Sequence, residues 1–273
     1  MYKNKKDKCI LILLSFLLFN FFLEIFPLYN FIIVVIFIMK IEKYLSIKKR
    51  LHFLIIQTIE NEENGEDFLN FKNFVKKRKI AENKERINHL IQILICIANN
   101  HFRNPKFFTN LEKIIVFLKD KITKTFSNDE IYNIFKENKR ILLFIFETKI
   151  IPYNDDINKS MINVNIYYSY YFFKMLNLNE ERKALIKKTL IEIDPNAFDD
   201  FENLQKNGEN SSYISKLIRE DSIQEFIKFI NERNIPLSAT IKYSCFETHP
   251  SLYKQKSLIE YSAFFGSIQI FQY

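Results

Sequence analysis

Glycine is scarce in this chain, with 3 residues among 273. Glycine alone takes positive φ angles without steric cost, and nucleotide-binding loops need several glycines to bring the backbone close to phosphates. Neither G-x-G-x-x-G nor G-x-x-x-x-G-K-[ST] occurs. The scarcity excludes glycine-rich nucleotide loops and argues against folds built from many tight turns.

Cysteine is equally scarce, and tryptophan is absent. Cys9, Cys96 and Cys245 are far apart and form no C-x-x-C pair. An odd, sparse set favours a reducing compartment over a disulfide framework. Cys96 lies in an apolar helical run, where a free cysteine packs as a small hydrophobe, and we predict a core position for it.

The chain also lacks the spacings that mark catalytic and metal sites. Its four histidines occur without H-x-x-x-H or H-E-x-x-H, and no nucleophile is paired with a base at recognisable spacing. The strongest local candidate is a predicted interhelical turn in residues 97–108 that carries His101 and Arg103, and a structural connection is the favoured interpretation. The sequence predicts no catalytic residue, metal site, cofactor or small-molecule substrate.

Charge of one sign is not segregated. The net charge is +8, from 40 basic and 32 acidic residues that are interspersed. The densest basic cluster is Lys72, Lys76, Lys77, Arg78 and Lys79. Acidic residues follow at once without a nucleic-acid-binding motif, so we interpret the cluster as a solvated helix face and predict no specific nucleic-acid partner. Salt-sensitive binding to nucleic acid through net charge stays an alternative.

Residues 1–38 are the most apolar part of the chain. Two runs of fifteen residues flank Glu24, whereas a membrane span needs about 20 apolar residues. A single span would hold Glu24 near its middle, at a cost of roughly 3 kcal/mol. Two hypotheses stay open. Residues 9–38 are a membrane anchor for a cytosolic body, or translation starts at Met39, the upstream stretch is a gene-model extension and the protein is cytoplasmic.

Helical periodicity dominates residues 39–206. Apolar residues recur at the i, i+3, i+4 spacing of one helix face, as at Ile87, Leu90, Ile91 and Leu94. Helices are expected over residues 83–98, 104–122 and 179–193, after Pro152, and from a capping box at Ser127 and Glu130. Asn104 and Pro105 have the residue types of a helix start. With short loops and no alternation long enough for a sheet, the sequence predicts an all-α fold of antiparallel helix pairs.

Residues 207–273 contain an internal repeat. SIQEF, which begins at Ser222, recurs forty-five residues later as SIQIF, which begins at Ser267. Each copy opens the second helix of a predicted pair, and Ser222 with Glu225 has the spacing of a capping box. Two short helices joined by a tight turn, here at Glu220 and Asp221, are the expected unit of a solenoid.

The second copy resembles an ankyrin repeat. Residues 257–270, SLIEYSAFFGSIQI, are similar to the pattern T-P-L-H-x-A-A-x-x-G. Four positions match its Thr, Leu, second Ala and turn Gly, in that order: Ser257, Ile259, Ala263 and Gly266. Three positions replace its Pro, His and first Ala: Leu258, Glu260 and Ser262. The interval between copies exceeds the ankyrin period of about 33 residues, which implies an insertion within residues 231–256.

Longer phrases extend the resemblance. LIREDSIQEFIKFINERNIPLSATIK and SCFET are similar to a domain of unknown function that leads into ankyrin arrays in a large protist family. NNHFRNPKFF and FSNDEIYNIFKENKRILLF are similar to that family's helical N-terminal region. The resemblance covers residues 39–273, and residues 1–38 have no counterpart, which favours the start at Met39.

The resemblance implies a non-enzymatic ankyrin-type scaffold for protein–protein interaction. The alternative is a membrane-anchored helical adaptor tethered by residues 9–38. The chain stops at Tyr273, inside the second helix of a repeat, so we expect either a truncated product or a partner that covers the apolar end at Ile268, Ile270 and Phe271.

Overall fold

A computed structural model describes residues 27–60, 65–100, 106–164, 166–193 and 198–273. Within these ranges the chain forms 14 α-helices, two short 3-10 helices and one pair of two-residue strands. The predicted all-α class is therefore confirmed. The chain divides into two compact units, Met1–Leu54 and Ile55–Tyr273.

Helix α1 (Pro27–Glu60) is the longest helix of the described residues and runs through Met39 without a break. Most of the predicted membrane anchor, up to residue 26, lies outside the described residues. Of the helices that the structure describes, none combines the length and apolar character required to cross a membrane.

Nine further α-helices and one 3-10 helix precede the terminal pairs. They are α2 (Gly65–Lys77), the 3-10 helix η1 (Ile80–Glu82), α3 (Lys84–Asn100), α4 (Phe107–Thr125), α5 (Asn128–Phe135), α6 (Lys139–Glu147), α7 (Asp155–Val164), α8 (Ile166–Tyr171), α9 (Glu180–Ile193) and α10 (Phe201–Asn207). The helices predicted from periodicity are all present, and the proposed start at Asn104 and Pro105 lies outside the described residues.

Polar side chains set where several of these helices begin. The predicted capping box at α5 is confirmed, because Glu130 N donates to Ser127 Oγ at 3.2 Å and Ser127 N donates to Glu130 Oε2 at 2.9 Å. Four asparagines each accept a hydrogen bond from the backbone N–H three residues on: Asn83, Asn138, Asn154 and Asn179. The asparagine-rich composition therefore satisfies helix starts that would otherwise leave free N–H groups.

The core position predicted for Cys96 is wrong. Its side chain is exposed, and Asn100 Nδ2 donates to the Cys96 carbonyl at 2.6 Å. One exposed stripe runs along α3 at spacings of three and four residues: Glu85, His89, Gln92, Cys96 and Asn100. Cys96 falls on this stripe, so an apolar neighbourhood in sequence was a weaker guide than its position around the helix.

The C-terminal part holds two short helix pairs. The first is α11 (Tyr213–Glu220) with α12 (Ile223–Glu232), and the second is α13 (Leu258–Phe265) with α14 (Ile268–Gln272). The segment between the pairs contains β1 (Thr240–Ile241), the 3-10 helix η2 (Pro250–Leu252) and β2 (Lys256–Ser257).

The two strands pair in antiparallel register, Thr240 opposite Ser257 and Ile241 opposite Lys256. Two residues are too few to show alternation, which explains why the sequence indicated no sheet. One apolar core joins all four terminal helices and the segment between them: Leu217, Ile218, Phe226, Ile230, Ile241, Leu252, Leu258, Tyr261 and Ile270.

Candidate protein-interaction site

The two helix pairs turn in the same way. Asp221 and Gly266, forty-five residues apart in sequence, have φ angles of 53° and 62° and end α11 and α13 in the left-handed region. The next residue closes each helix end in the same pattern: Ser222 N donates to the Leu217 carbonyl at 3.0 Å, and Ser267 N donates to that of Ser262 at 2.9 Å. Gly266 therefore lies at the inter-helix turn, as the sequence predicted.

The capping box predicted at Ser222 and Glu225 is wrong. Ser222 precedes α12 without a side-chain cap. In a capping box its N–H would donate to the Glu225 carboxylate, but it donates to the Leu217 carbonyl instead. The box lies instead at the start of α13, where Glu260 N donates to Ser257 Oγ at 3.2 Å and Ser257 N donates to Glu260 Oε2 at 2.9 Å. Ser257 follows an extended segment, so its N–H is available for the reciprocal bond.

Polar contacts join the two pairs at their turns. The Asp221 carboxylate accepts hydrogen bonds from the backbone N–H groups of Gln269 at 3.2 Å and Ile270 at 3.1 Å. The buried hydroxyl of Ser267 donates to the Ile218 carbonyl. The turn of the first pair therefore satisfies free N–H groups at the start of α14, as an N-cap side chain would.

The outer side of the second pair has uncovered apolar side chains. Phe226 in the first pair is 1% exposed and contacts the Tyr273 ring, whereas Phe271, its equivalent in the repeat, is 47% exposed. Ile259 and Ile268 are 55% and 63% exposed. Their equivalents in the first pair pack against the shared core. We call Ile259, Ile268 and Phe271 the outer face.

The remaining repeat residues differ in exposure. Glu225, Ala263 and Gly266 are exposed, Ser222 is half-buried, and Ser267 is buried. The structure brings Ser267 to the junction between the pairs and Gly266 to the turn between α13 and α14, while Glu225 makes neither predicted cap contact.

A buried cation that the sequence did not reveal joins α6 to the segment between the pairs. Lys139 is 0% exposed, and its Nζ donates to the Cys245 carbonyl at 3.0 Å. The ammonium lies 4.3 Å from the ring centroid of Tyr253 and 5.0 Å from that of Tyr171. Burial lowers the pKa of Lys139 to about 7.

A buried carboxyl lies in the same segment. Glu247 is 3% exposed and accepts a hydrogen bond of 2.5 Å from the Tyr261 hydroxyl of α13. Burial raises the pKa of Glu247 to about 7, against the opposing effects of Tyr261 and of the positive charges of Arg219 and Lys139. Arg219 also donates to the Asn210 carbonyl at 2.9 Å and to the Tyr261 hydroxyl at 3.3 Å.

One feature of the sequence hinted at this arrangement. Lys139 and Arg140 begin α6, where the helix dipole disfavours cations. Both side chains are buried, and specific partners offset the unfavourable position. Lys139 donates to the Cys245 carbonyl, and Arg140 pairs with Glu112 and donates to the Lys206 carbonyl.

The structure assigns no chemistry to the histidine-bearing turn, because His101 and Arg103 lie outside the described residues. In the described ranges no group of three or more His, Cys, Asp or Glu residues is placed to hold a metal ion. Comparisons with protein-family models, with curated proteins and with solved structures found no match for the chain.

Proposed function

We propose that this chain is a non-enzymatic, ankyrin-type scaffold that binds other proteins through a solenoid of stacked, antiparallel helix pairs. The observation that carries the proposal is the outer face. It exposes apolar side chains at repeat positions where the first pair buries Phe226 and half-buries Ile214 and Ile223. In stacked repeats each pair buries its apolar side against the next, so this face fits the apolar side of a further helix pair.

The junction between the pairs supports the same proposal. Asp221 and Ser267 each form hydrogen bonds to backbone groups of the other pair, and apolar residues of all four helices share one core. A partner that repeated this apolar packing would cover Phe271 as the Tyr273 ring covers Phe226.

The burial of Lys139 and Glu247 supports a structural role for the most perturbed charged groups. Perturbed pKa values often mark catalytic sites, but a catalytic group must reach a substrate. Lys139 and Glu247 are 0% and 3% exposed and bond to protein groups. They therefore fit internal contacts between segments of the chain.

Site-specific photo-crosslinking tests the proposal. A photo-crosslinking amino acid at position 272, on the exposed end of α14, should capture partner proteins when the full chain is expressed in its native cells. Ile268→Glu with Phe271→Glu should abolish the crosslinks, because two buried carboxylates would destabilise an apolar interface. Thermal unfolding should change little, since both side chains are already exposed.

The matched control is Val116→Glu with Leu185→Glu, which changes two exposed apolar residues elsewhere. This double variant should keep the crosslinks. Crosslinks that survive the change at Ile268 and Phe271, or that both double variants remove equally, would argue against the outer face as the binding surface.

A further inference from the structure

A groove lies between α2, η1 and α4, in a part of the chain separate from the outer face. Its volume is about 270 Å³, and its floor is apolar. Val75 and Leu118 in the floor are each 1% exposed. Phe117, also in the floor, contacts Phe68 and Phe71 edge-on, with ring centroids 6.1 Å apart in both pairs. The floor is therefore a packed surface that needs no rearrangement to receive a ligand.

The rim of the groove is basic. Lys76 at the end of α2, Lys79 before η1 and Lys121 of α4 line it, and all three are exposed. Glu82 also lines the groove and lies 3.9 Å from the Lys79 ammonium. Three cations and one carboxylate leave a net charge of +2 around an apolar floor.

The fold assembles this rim from separate parts of the sequence. The left-handed conformation of Lys79, with φ 51°, turns the chain from α2 into η1 and sets Ala81 and Glu82 beside the groove. Lys121 comes from a helix more than forty residues away in sequence. The basic cluster seen in the sequence therefore contributes only part of the rim.

We propose that this groove binds an acidic peptide segment of a partner protein that carries one large apolar side chain. The apolar side chain would lie on Val75, Phe117 and Leu118, and neighbouring carboxylates would pair with Lys76, Lys79 and Lys121. The groove has a volume of about 270 Å³. It is smaller than the roughly 300 Å³ of a drug-sized ligand site, which suits a single side chain.

The recessed floor favours a peptide over other anionic partners. A bilayer surface would meet the lysine rim without filling the floor. Double-stranded nucleic acid would supply phosphates for the rim but no apolar group for the floor. A peptide with one apolar side chain among acidic ones provides a group for the apolar floor and carboxylates for the lysine rim.

Fluorescence anisotropy of the full chain with a labelled octapeptide, EDEFEDED, tests the assignment. Binding should saturate and should weaken as salt is raised. Lys76→Glu with Lys121→Glu should weaken it at least about tenfold, which corresponds to about 1.4 kcal/mol. Ala81→Phe, which fills the groove and keeps the lysines, should weaken it as well.

Two controls separate the groove from general charge attraction. Lys188→Glu with Lys228→Glu makes the same change in net charge at exposed sites and should leave binding within about twofold. The peptide EDESEDED, which has serine in place of the phenylalanine, should bind at least about tenfold more weakly.

Three results would overturn the assignment: equal losses in the two double variants, equal binding of the serine peptide, or binding to phosphatidylserine vesicles or duplex DNA without binding to the peptide. Circular dichroism on each variant checks that the fold is retained.

Discussion

The Asp221 carboxylate accepts the backbone N–H of Ile270 at 3.1 Å, across forty-nine residues of sequence. Asp221 thereby serves two helices, since it also ends α11 in the left-handed conformation. Three substitutions separate these roles. Asp221→Asn keeps a side-chain acceptor, Asp221→Gly keeps the ease of positive φ, and Asp221→Ala keeps neither.

We expect the free energy of unfolding to fall in the order Asn, Gly, Ala. Loss of the cap costs about 1 kcal/mol, and an alanine with positive φ costs about 1 kcal/mol more. Urea denaturation of the three variants measures the order. An alanine variant as stable as the glycine variant would show that the left-handed turn imposes no strain.

The two serines that begin α12 and α13 should differ in their contribution to stability. Ser257→Ala removes a capping box and should lower the free energy of unfolding by about 1 kcal/mol. Ser222→Ala removes a hydroxyl that makes no cap hydrogen bond and should cost less than about 0.5 kcal/mol. Urea denaturation of both variants provides the comparison, and equal losses would contradict it.

The buried carboxyl of Glu247 predicts a stability that depends on pH. Its folded pKa of about 7 lies above the usual value of 4.5, so between these pH values the folded state holds a proton that the unfolded state has released. This contribution to stability is complete below about pH 4.5 and is lost as the pH rises to about 7. Glu247→Gln stays neutral, so its stability relative to the native chain should rise across that window.

The rise should approach at most about 1.4 kcal/mol per pH unit. Urea denaturation between pH 4.5 and 8 measures it, and the exposed Glu225→Gln provides the control to be subtracted. Parallel stability profiles for the native chain and the Glu247→Gln variant would rule out this role for Glu247.

Lys139 predicts a change of the opposite sign in a higher window. Its folded pKa of about 7 lies below the usual value of 10.5, so between these pH values the unfolded state binds the extra proton. Its contribution to stability is present above about pH 10.5 and is lost as the pH falls to about 7. Lys139→Met should therefore lose its advantage over the native chain as the pH rises from 7 to 10. Denaturation midpoints at fixed salt measure this, with the exposed Lys188→Met as the control.

The tether hypothesis makes a separate prediction for residues 9–38. Under that hypothesis, the chain expressed from Met1 should stay in the membrane fraction after carbonate extraction, and a chain that starts at Met39 should be released. A fully soluble Met1 product would end the hypothesis. Tryptic peptides from upstream of Lys40 in the native protein would show that translation begins before Met39.

Local features of the fold were predictable from the sequence. The helix of Ile87, Leu90, Ile91 and Leu94, the capping box at Ser127, and the turn at Gly266 each depend on residues within a few positions of one another. Short-range chemistry decides such features, and the structure confirms them.

Features that depend on partners outside a short sequence motif were not predictable. The N–H of Ser222 is bonded to the turn before it, which a four-residue capping signature does not register. Lys139 donates to the Cys245 carbonyl 106 residues away, and the local sequence KRILLFIFE places two cations at a helix start without indicating their partners. The lysine rim likewise needs Lys121 beside Lys76, a proximity that only tertiary packing creates.

The contact between Lys139 and Cys245 has a consequence for how the terminal helices open. If α13 and α14 detached together with the segment before them, the buried Lys139 ammonium would lose the Cys245 carbonyl as its hydrogen-bond acceptor. Opening at the carboxyl end is therefore coupled to α6. Amide hydrogen exchange in α13 and α6 should slow and quicken together when temperature or denaturant is varied, unlike the independent fraying expected of a loosely attached tail.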